Sequence, residues 1–184
     1  MKKVVAKKSL GQNFLKDEHI IEEIFSVAGI QKTDWVLEVG PGTGALTFRL
    51  VSRVEKLLAI ELDHELVLRL ESQLTDSKKA VIVEGNVLDI NLTELLQTSG
   101  FFDQPYKIIA NIPYYITAPI IRTLLSLSVQ PQSLTLMVQN EVAERLAAKP
   151  GSMSLLSLMA QYYASVEKKI FVSKQAFDPI PKVD

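Results

Sequence analysis

The chain has 184 residues, a formal net charge of −1 and a pI of about 6.2. That length suffices for one domain with a substantial core, the near-neutral charge is not the footprint of a strong nucleic-acid binder, and the lack of cysteine excludes disulfides and thiolate metal sites. No apolar run reaches the roughly 18 residues needed to cross a bilayer, and the lysines at the start have no apolar stretch behind them, so neither a membrane span nor a signal peptide is expected.

Residues 1–16 carry Lys2, Lys3, Lys7, Lys8 and Lys16 and no acid, a segment suited either to neutralising phosphates or to lying solvated. A helix is predicted over Glu18–Ala28. Trp35–Val39 reads as the first strand of a sheet and Ala45–Arg53 as the helix behind it. Lys56–Glu61 is a second strand, and Asp63 caps a helix running to Leu74. Ala80–Glu84 is a third strand and Tyr106–Ala110 a fourth. Thr117 is expected to cap a helix with Pro119 in its first turn, where a missing N–H costs little. Ser133–Val138 is a fifth strand, followed by a helix over Asn140–Ala148, a break at Pro150-Gly151, a helix over Ser154–Ala164 and a sixth strand over Lys169–Val172. Alternating strands and helices predict an α/β fold, a mostly parallel sheet with helices on both faces.

The first strand ends in Glu38-Val39-Gly40-Pro41-Gly42-Thr43-Gly44, ahead of a helix. Glycines there allow a tight turn and a close approach of ligand to backbone, and a helix start offers free N–H groups. Glu61 ends the next strand, about 20 residues on, where a carboxylate accepts hydrogen bonds from a ribose diol. Gly40, Gly42 and Ala45 also satisfy the dinucleotide fingerprint, so a nicotinamide cofactor stays open beside S-adenosylmethionine. Glu38 favours the latter, its carboxylate suiting the cofactor's amino group directly or through water. Asn86, after the third strand, is either a turn residue or an acceptor for an adenine amino group.

Asn111-Ile112-Pro113-Tyr114 follows the fourth strand and faces the crevice of an open α/β sheet. An exocyclic adenine amine is a poor nucleophile because its lone pair is delocalised. The Asn111 side-chain oxygen and a backbone carbonyl near Ile112 or Pro113 would hold both its N–H groups and aim the lone pair at an electrophilic methyl. Pro113 fixes the backbone, and Tyr114 offers a stacking face worth roughly 1–3 kcal/mol per base. Phe177 is either a second wall for the base or a packing anchor. Tyr115 reads as a core neighbour in preference to a second stacking surface. His19 and His64 read as helix or surface residues, and no metal site is expected.

Taken together, these motifs resemble the ribosomal RNA small-subunit adenine dimethyltransferases over nearly the whole length. The resemblance runs through Lys8-Ser9-Leu10-Gly11-Gln12-Asn13-Phe14-Leu15, Val36 to Thr47, Asn111 to Tyr114, Glu141-Val142-Ala143, Arg145-Leu146, Pro150-Gly151-Ser152, Met159 to Tyr163 and Phe177 to Asp184. It implies a class I S-adenosylmethionine-dependent methyltransferase domain over residues 1–184, and dimethylation of N6 on two adjacent adenosines of small-subunit rRNA within a pre-assembled subunit, in the cytoplasm. It implies that Gln12, Asn13, Leu15, Gly40, Glu61 and Asn111 meet the cofactor, and Glu38, Gly42, Gly44, Leu62, Asn86 and Val87 are expected to join them. Asn111, Pro113, Tyr114 and Phe177 would present the base. A close variant of the family modifies large-subunit rRNA, and a non-catalytic assembly or transcription factor is the alternative of another class.

Three departures from the family pattern carry expectations. Asn86 stands where an aspartate is usual, which predicts weaker cofactor binding than an aspartate version would show. Met153-Ser154-Leu155-Leu156 follows Gly151-Ser152 where lysine and arginine are usual, which weakens one RNA contact. The family continues past Asp184 into a last strand and a small helical domain. Their absence predicts a sheet without its final strand and a monomer with an edge open to self-association.

Overall fold

The computed structural model describes residues 4–75 and 77–182. Lys2 and Lys3 of the basic run and the final Val183-Asp184 lie outside them. The fold is built on β2 (Trp35–Val39), β3 (Lys56–Glu61), β4 (Ala80–Glu84), β5 (Tyr106–Asn111) and β6 (Ser133–Met137), in the order β4-β3-β2-β5-β6 and all parallel. A second, two-stranded sheet pairs β1 (Phe14–Leu15) with β7 (Phe177–Asp178), antiparallel.

Parallel strands buried on both faces read as continuous apolar runs, and this explains the burial of β2, β3 and β5. Alternate side chains serve opposite faces. Val36, Leu57 and Ile109 pack with α1 (Glu18–Ala28) and α2 (Thr47–Leu50). Leu37, Leu58 and Ile108 pack against α4 (Leu92–Thr98), α5 (Thr117–Leu125) and α7 (Leu155–Tyr163). The chain also forms α3 (His64–Leu74), which packs on β4, and α6 (Asn140–Leu146).

The helix starts follow local chemistry. The Asp17 carboxylate accepts from the His19 and Ile20 N–H groups, and Asp63 accepts from Glu65. Helix α4 was absent from the sequence reading, although Asn91 caps it by accepting from the Glu94 N–H. The pattern Asn91-Leu-Thr-Glu94 was the available signal. Helix α2 is shorter than the expected Ala45–Arg53, since its flanks are turns.

Two expectations are corrected outright. Lys169–Val172 is not a strand. It runs past β6 across a largely apolar cavity of about 520 Å³, lined by both segments, so it takes no place in the sheet. Its apolar, β-branched composition expresses a preference that lacks a pairing partner. Thr117 does not cap α5. It is the first helical residue, and its hydroxyl donates back to the carbonyls of Pro113 and Tyr114 at 3.2 Å.

Candidate active site

The strand order reverses between β2 and β5, the point where open α/β sheets bind ligands beyond their carboxyl ends. A crevice lies there, bounded by the loops after β2, β3, β4 and β5 and by the N-terminal segment. The Gly40 N–H donates to the Ile60 carbonyl at 3.0 Å. Gly40 has φ +74°, and a Cβ there would stand 3.1 Å from the Asn111 carbonyl oxygen. Only glycine lets the loops after β2 and β5 meet in this way.

Glu61 forms the crevice's charged corner. One carboxylate oxygen accepts from the Gly42 N–H at 2.9 Å, the other from the Asp63 N–H at 2.9 Å. The carboxylate retains acceptor capacity beyond these bonds, which suits a ribose diol. Burial raises the Glu61 pKa, and the N–H groups of Asp63, Gly42 and Leu62 pull the other way without cancelling the rise. Glu61 is the only carboxylate among the described residues that line the crevice.

Most of the expected site residues converge here. Gln12 and Asn13 line the crevice from the N-terminal segment, and Gly40 and Gly42 from the loop after β2. Leu62, Asn86 and Val87 line its far side, while Asn111, Pro113, Tyr114 and Phe177 line the end beyond β5. Three of the expected residues do not line it. Leu15 is a core residue packed with α1. Gly44 sits beneath the Phe48 ring. Glu38 lies 1% exposed below the glycine loop, outside the crevice lining. Residue type and position in a loop register cannot distinguish a side chain above the strand end from one beneath it.

Asn86 is engaged in its own turn. Its side-chain oxygen accepts from the Leu88 N–H at 3.1 Å, and its amide donates to the Asp89 carboxylate at 2.8 Å. An aspartate at position 86 would face Asp89 across that distance. The expected gain from the usual aspartate therefore reverses. Asn86→Asp is predicted to weaken S-adenosylhomocysteine binding several-fold, and Asn86→Asp combined with Asp89→Asn to recover it. Isothermal titration of the three proteins decides this, and tighter binding by the single variant would refute it.

The acceptor loop is held from both ends. The Ile112 N–H donates to the Met137 carbonyl at 3.2 Å. The Pro113 carbonyl accepts from both the Ile116 N–H and the Thr117 hydroxyl. It is turned into the start of α5, which favours the Ile112 carbonyl over it as an acceptor for a ligand. The Asn111 amide nitrogen reaches the Asn13 carbonyl at 3.5 Å, leaving its oxygen for a ligand. Tyr115, expected in the core, is 59% exposed and lays its ring against Gly11. Phe177 is 5% exposed, and β7 brings it beside β1. Gly11 and Phe14, to which the sequence assigns no role of their own, line the crevice as well, together with Ile112 and Tyr115.

His19 and His64 are exposed helix residues. Among the described residues no His, Cys, Asp or Glu group is placed to hold a metal ion, and no helix is long and apolar enough to cross a membrane.

A parallel sheet whose glycine loop touches an Asn-Ile-Pro-Tyr loop at the switch point defines a class I methyltransferase fold. Residues 4–184 match the family model described as ribosomal RNA adenine dimethylase, and the chain belongs to that family. The "Ribosomal RNA small subunit methyltransferase A" of Levilactobacillus brevis is 42% identical over 184 residues, a span of 99% of this chain and 62% of that protein. The protein of the same name from Shouchella clausii is 42% identical over 180 residues, 97% of this chain and 61% of its own length. Among solved structures, a dimethyladenosine transferase from Plasmodium falciparum superposes with a TM-score of 0.81 at 30% identity, covering 93% of this chain and 60% of that one. A 23S rRNA methyltransferase superposes with a TM-score of 0.75 at 29% identity, covering 94% and 66%. The chain thus spans about three fifths of the length of these two relatives, 62% and 61%.

Proposed function

We propose that this chain carries the catalytic domain of an S-adenosylmethionine-dependent enzyme that dimethylates N6 of two adjacent adenosines in small-subunit rRNA. The observation that carries the reading is the meeting of the two loops. Gly40, where the cofactor approaches the backbone, stands against the carbonyl of Asn111, where the base is held. Donor and acceptor sites are therefore neighbours. The crevice residues suit the cofactor, since Glu61 keeps acceptor capacity for a ribose and Gly40 and Gly42 keep the backbone open.

S-adenosylmethionine, when bound, supplies an electrophilic methyl group. The chain's own residues supply alignment. The Asn111 oxygen and the Ile112 carbonyl accept the two N–H groups of the adenine amine and turn its lone pair toward the methyl. Tyr114 stacks on the ring, and Phe177 closes the opposite side. Such alignment is worth up to about 7–11 kcal/mol of barrier. No general base is required, because the nitrogen loses its proton readily once it has become cationic. The lining accords with this, its one carboxylate standing at the ribose corner and not beside the base. The base must leave its stack, and a loop or single strand in an assembling subunit lowers that cost.

On this reading the enzyme acts in the cytoplasm on a pre-assembled small subunit, as a monomer whose β6 edge is open to self-association. The likeness to a 23S rRNA methyltransferase favours one second reading, methylation of large-subunit rRNA. Transfer of tritiated methyl from S-adenosylmethionine to unmodified small and large subunits separates the two. Label in small subunits alone is the expected result, and label confined to large subunits would overturn it. Binding of S-adenosylhomocysteine but not NADH in a fluorescence titration is expected as well, and the reverse would favour a hydride-transfer enzyme.

A further inference from the structure

The N-terminal segment Lys7–Leu15 crosses the crevice as a strap. Its Gly11 lies against the Tyr115 ring of the acceptor side, and its Phe14 ring lies 3.2 Å from where a Gly42 Cβ would be, on the cofactor side. It is therefore clasped by both loops. Its far end is anchored in β1, paired with β7, and by the Lys16 N–H donating to the Ala176 carbonyl at 2.8 Å. Its near end is fastened differently. The Lys7 ammonium donates to one Asp63 oxygen at 2.6 Å, and the Gln12 amide donates to the other at 2.8 Å. The Lys7 N–H closes the ring by donating to the Gln12 side-chain oxygen at 2.8 Å. Lys7 also reaches Glu65 at 3.1 Å.

Asp63 is 4% exposed, so this is a built contact and not a chance surface pair. Burial pushes its pKa up, yet the hydrogen bonds from Lys7, Gln12 and the Glu65 N–H, with the Lys7 charge, together outweigh that and hold it below the ordinary range. The same residue's N–H fixes the Glu61 carboxylate at 2.9 Å. One residue therefore joins the strap's free end to the corner that takes the ribose.

We propose that Asp63 is a positioning residue that latches the N-terminal strap shut over the crevice, with β1 as the hinge and Lys7 and Gln12 as the catch. The proposal rests on the reading of the crevice as the cofactor site. Opening the latch admits the cofactor. Closing it sets Gln12 and Asn13 against the ligand and shields the reacting groups from water. Lys7, which does not line the crevice, then acts on cofactor affinity through the latch and not by touching the ligand.

The test combines two measurements on the chain without and with S-adenosylhomocysteine. Amide hydrogen exchange of residues 8–14 in the ligand-free protein reads the latch itself. Lys7→Met is expected to speed that exchange about 10-fold and to weaken S-adenosylhomocysteine binding about 10-fold. Lys7→Arg, which keeps the ion pair, is expected to preserve both. Asp63→Asn retains a capping oxygen, so exchange in α3 should hold while the strap loosens. Unchanged strap exchange in Lys7→Met overturns the latch. A loosened strap with unchanged affinity overturns its positioning role. If the wild-type chain binds no S-adenosylhomocysteine at all, the cofactor reading fails, and the role given to the latch fails with it. The exchange data then show separately whether the fastening exists.

Discussion

Asn111→Ala is expected to cut dimethyladenosine formation by about 10²–10³-fold, the usual cost of removing one aligned polar group from a reacting centre. In the proposed mechanism the side chain's oxygen is one of two acceptors for the adenine amine, and alanine leaves that N–H without a partner. The Asn111 backbone carbonyl against Gly40 is untouched by the substitution, so the cofactor loop keeps its shape. Affinity for S-adenosylhomocysteine should fall only a few-fold. Single-turnover rates and calorimetric titration of the same preparations separate the two effects. A variant that loses cofactor binding and rate equally would place Asn111 in the cofactor site alone.

Glu38→Gln should change stability more than any other substitution at the site, and in a direction set by pH. Both Glu38 carboxylate oxygens are buried without a hydrogen-bond partner, as is the hydroxyl of nearby Thr47. Burial pushes the carboxyl up from 4.5 to about 8, with the Glu61 charge adding to the rise and Thr47 moderating it. The folded protein therefore holds a proton that the unfolded chain releases. The contribution to stability is complete below pH 4.5 and is lost as pH rises toward about 8, at up to roughly 1.4 kcal/mol per pH unit. Glutamine has the shape of the protonated acid and does not titrate. The variant should match the wild type near pH 5 and exceed it by roughly 2–4 kcal/mol near pH 8. Urea unfolding of both proteins across that range measures the difference directly. Parallel stability curves would show that Glu38 is ionised and compensated in the folded state.

The strands that position the site were legible because burial on both faces leaves an uninterrupted apolar run, as in Leu57–Ile60 and Ile108–Ala110. The glycine loop and the Asn111–Tyr114 loop were legible because turn geometry and acceptor chemistry restrict residue type. What the sequence concealed depends on distant partners. Asp63 read as a helix cap, and it is one, but Lys7 and Gln12 reach it across 56 and 51 residues. Glu38 read as a ligand because it adjoins the glycines, whereas its place beneath them follows from which face of β2 carries it. Lys169–Val172 read as a strand on local preference, and pairing depends on what lies alongside. Gln12 and Asn13, which only the family resemblance singled out, line the crevice. Leu15, in the same run, turns into the core.

The most direct test is mass spectrometry of nucleosides from small ribosomal subunits that lack the modification, after incubation with this chain and S-adenosylmethionine. N6,N6-dimethyladenosine on two neighbouring residues, formed at the expense of unmodified adenosine, is the predicted product. Methylation at any other base atom, or none while the chain demonstrably binds S-adenosylhomocysteine, would contradict the account.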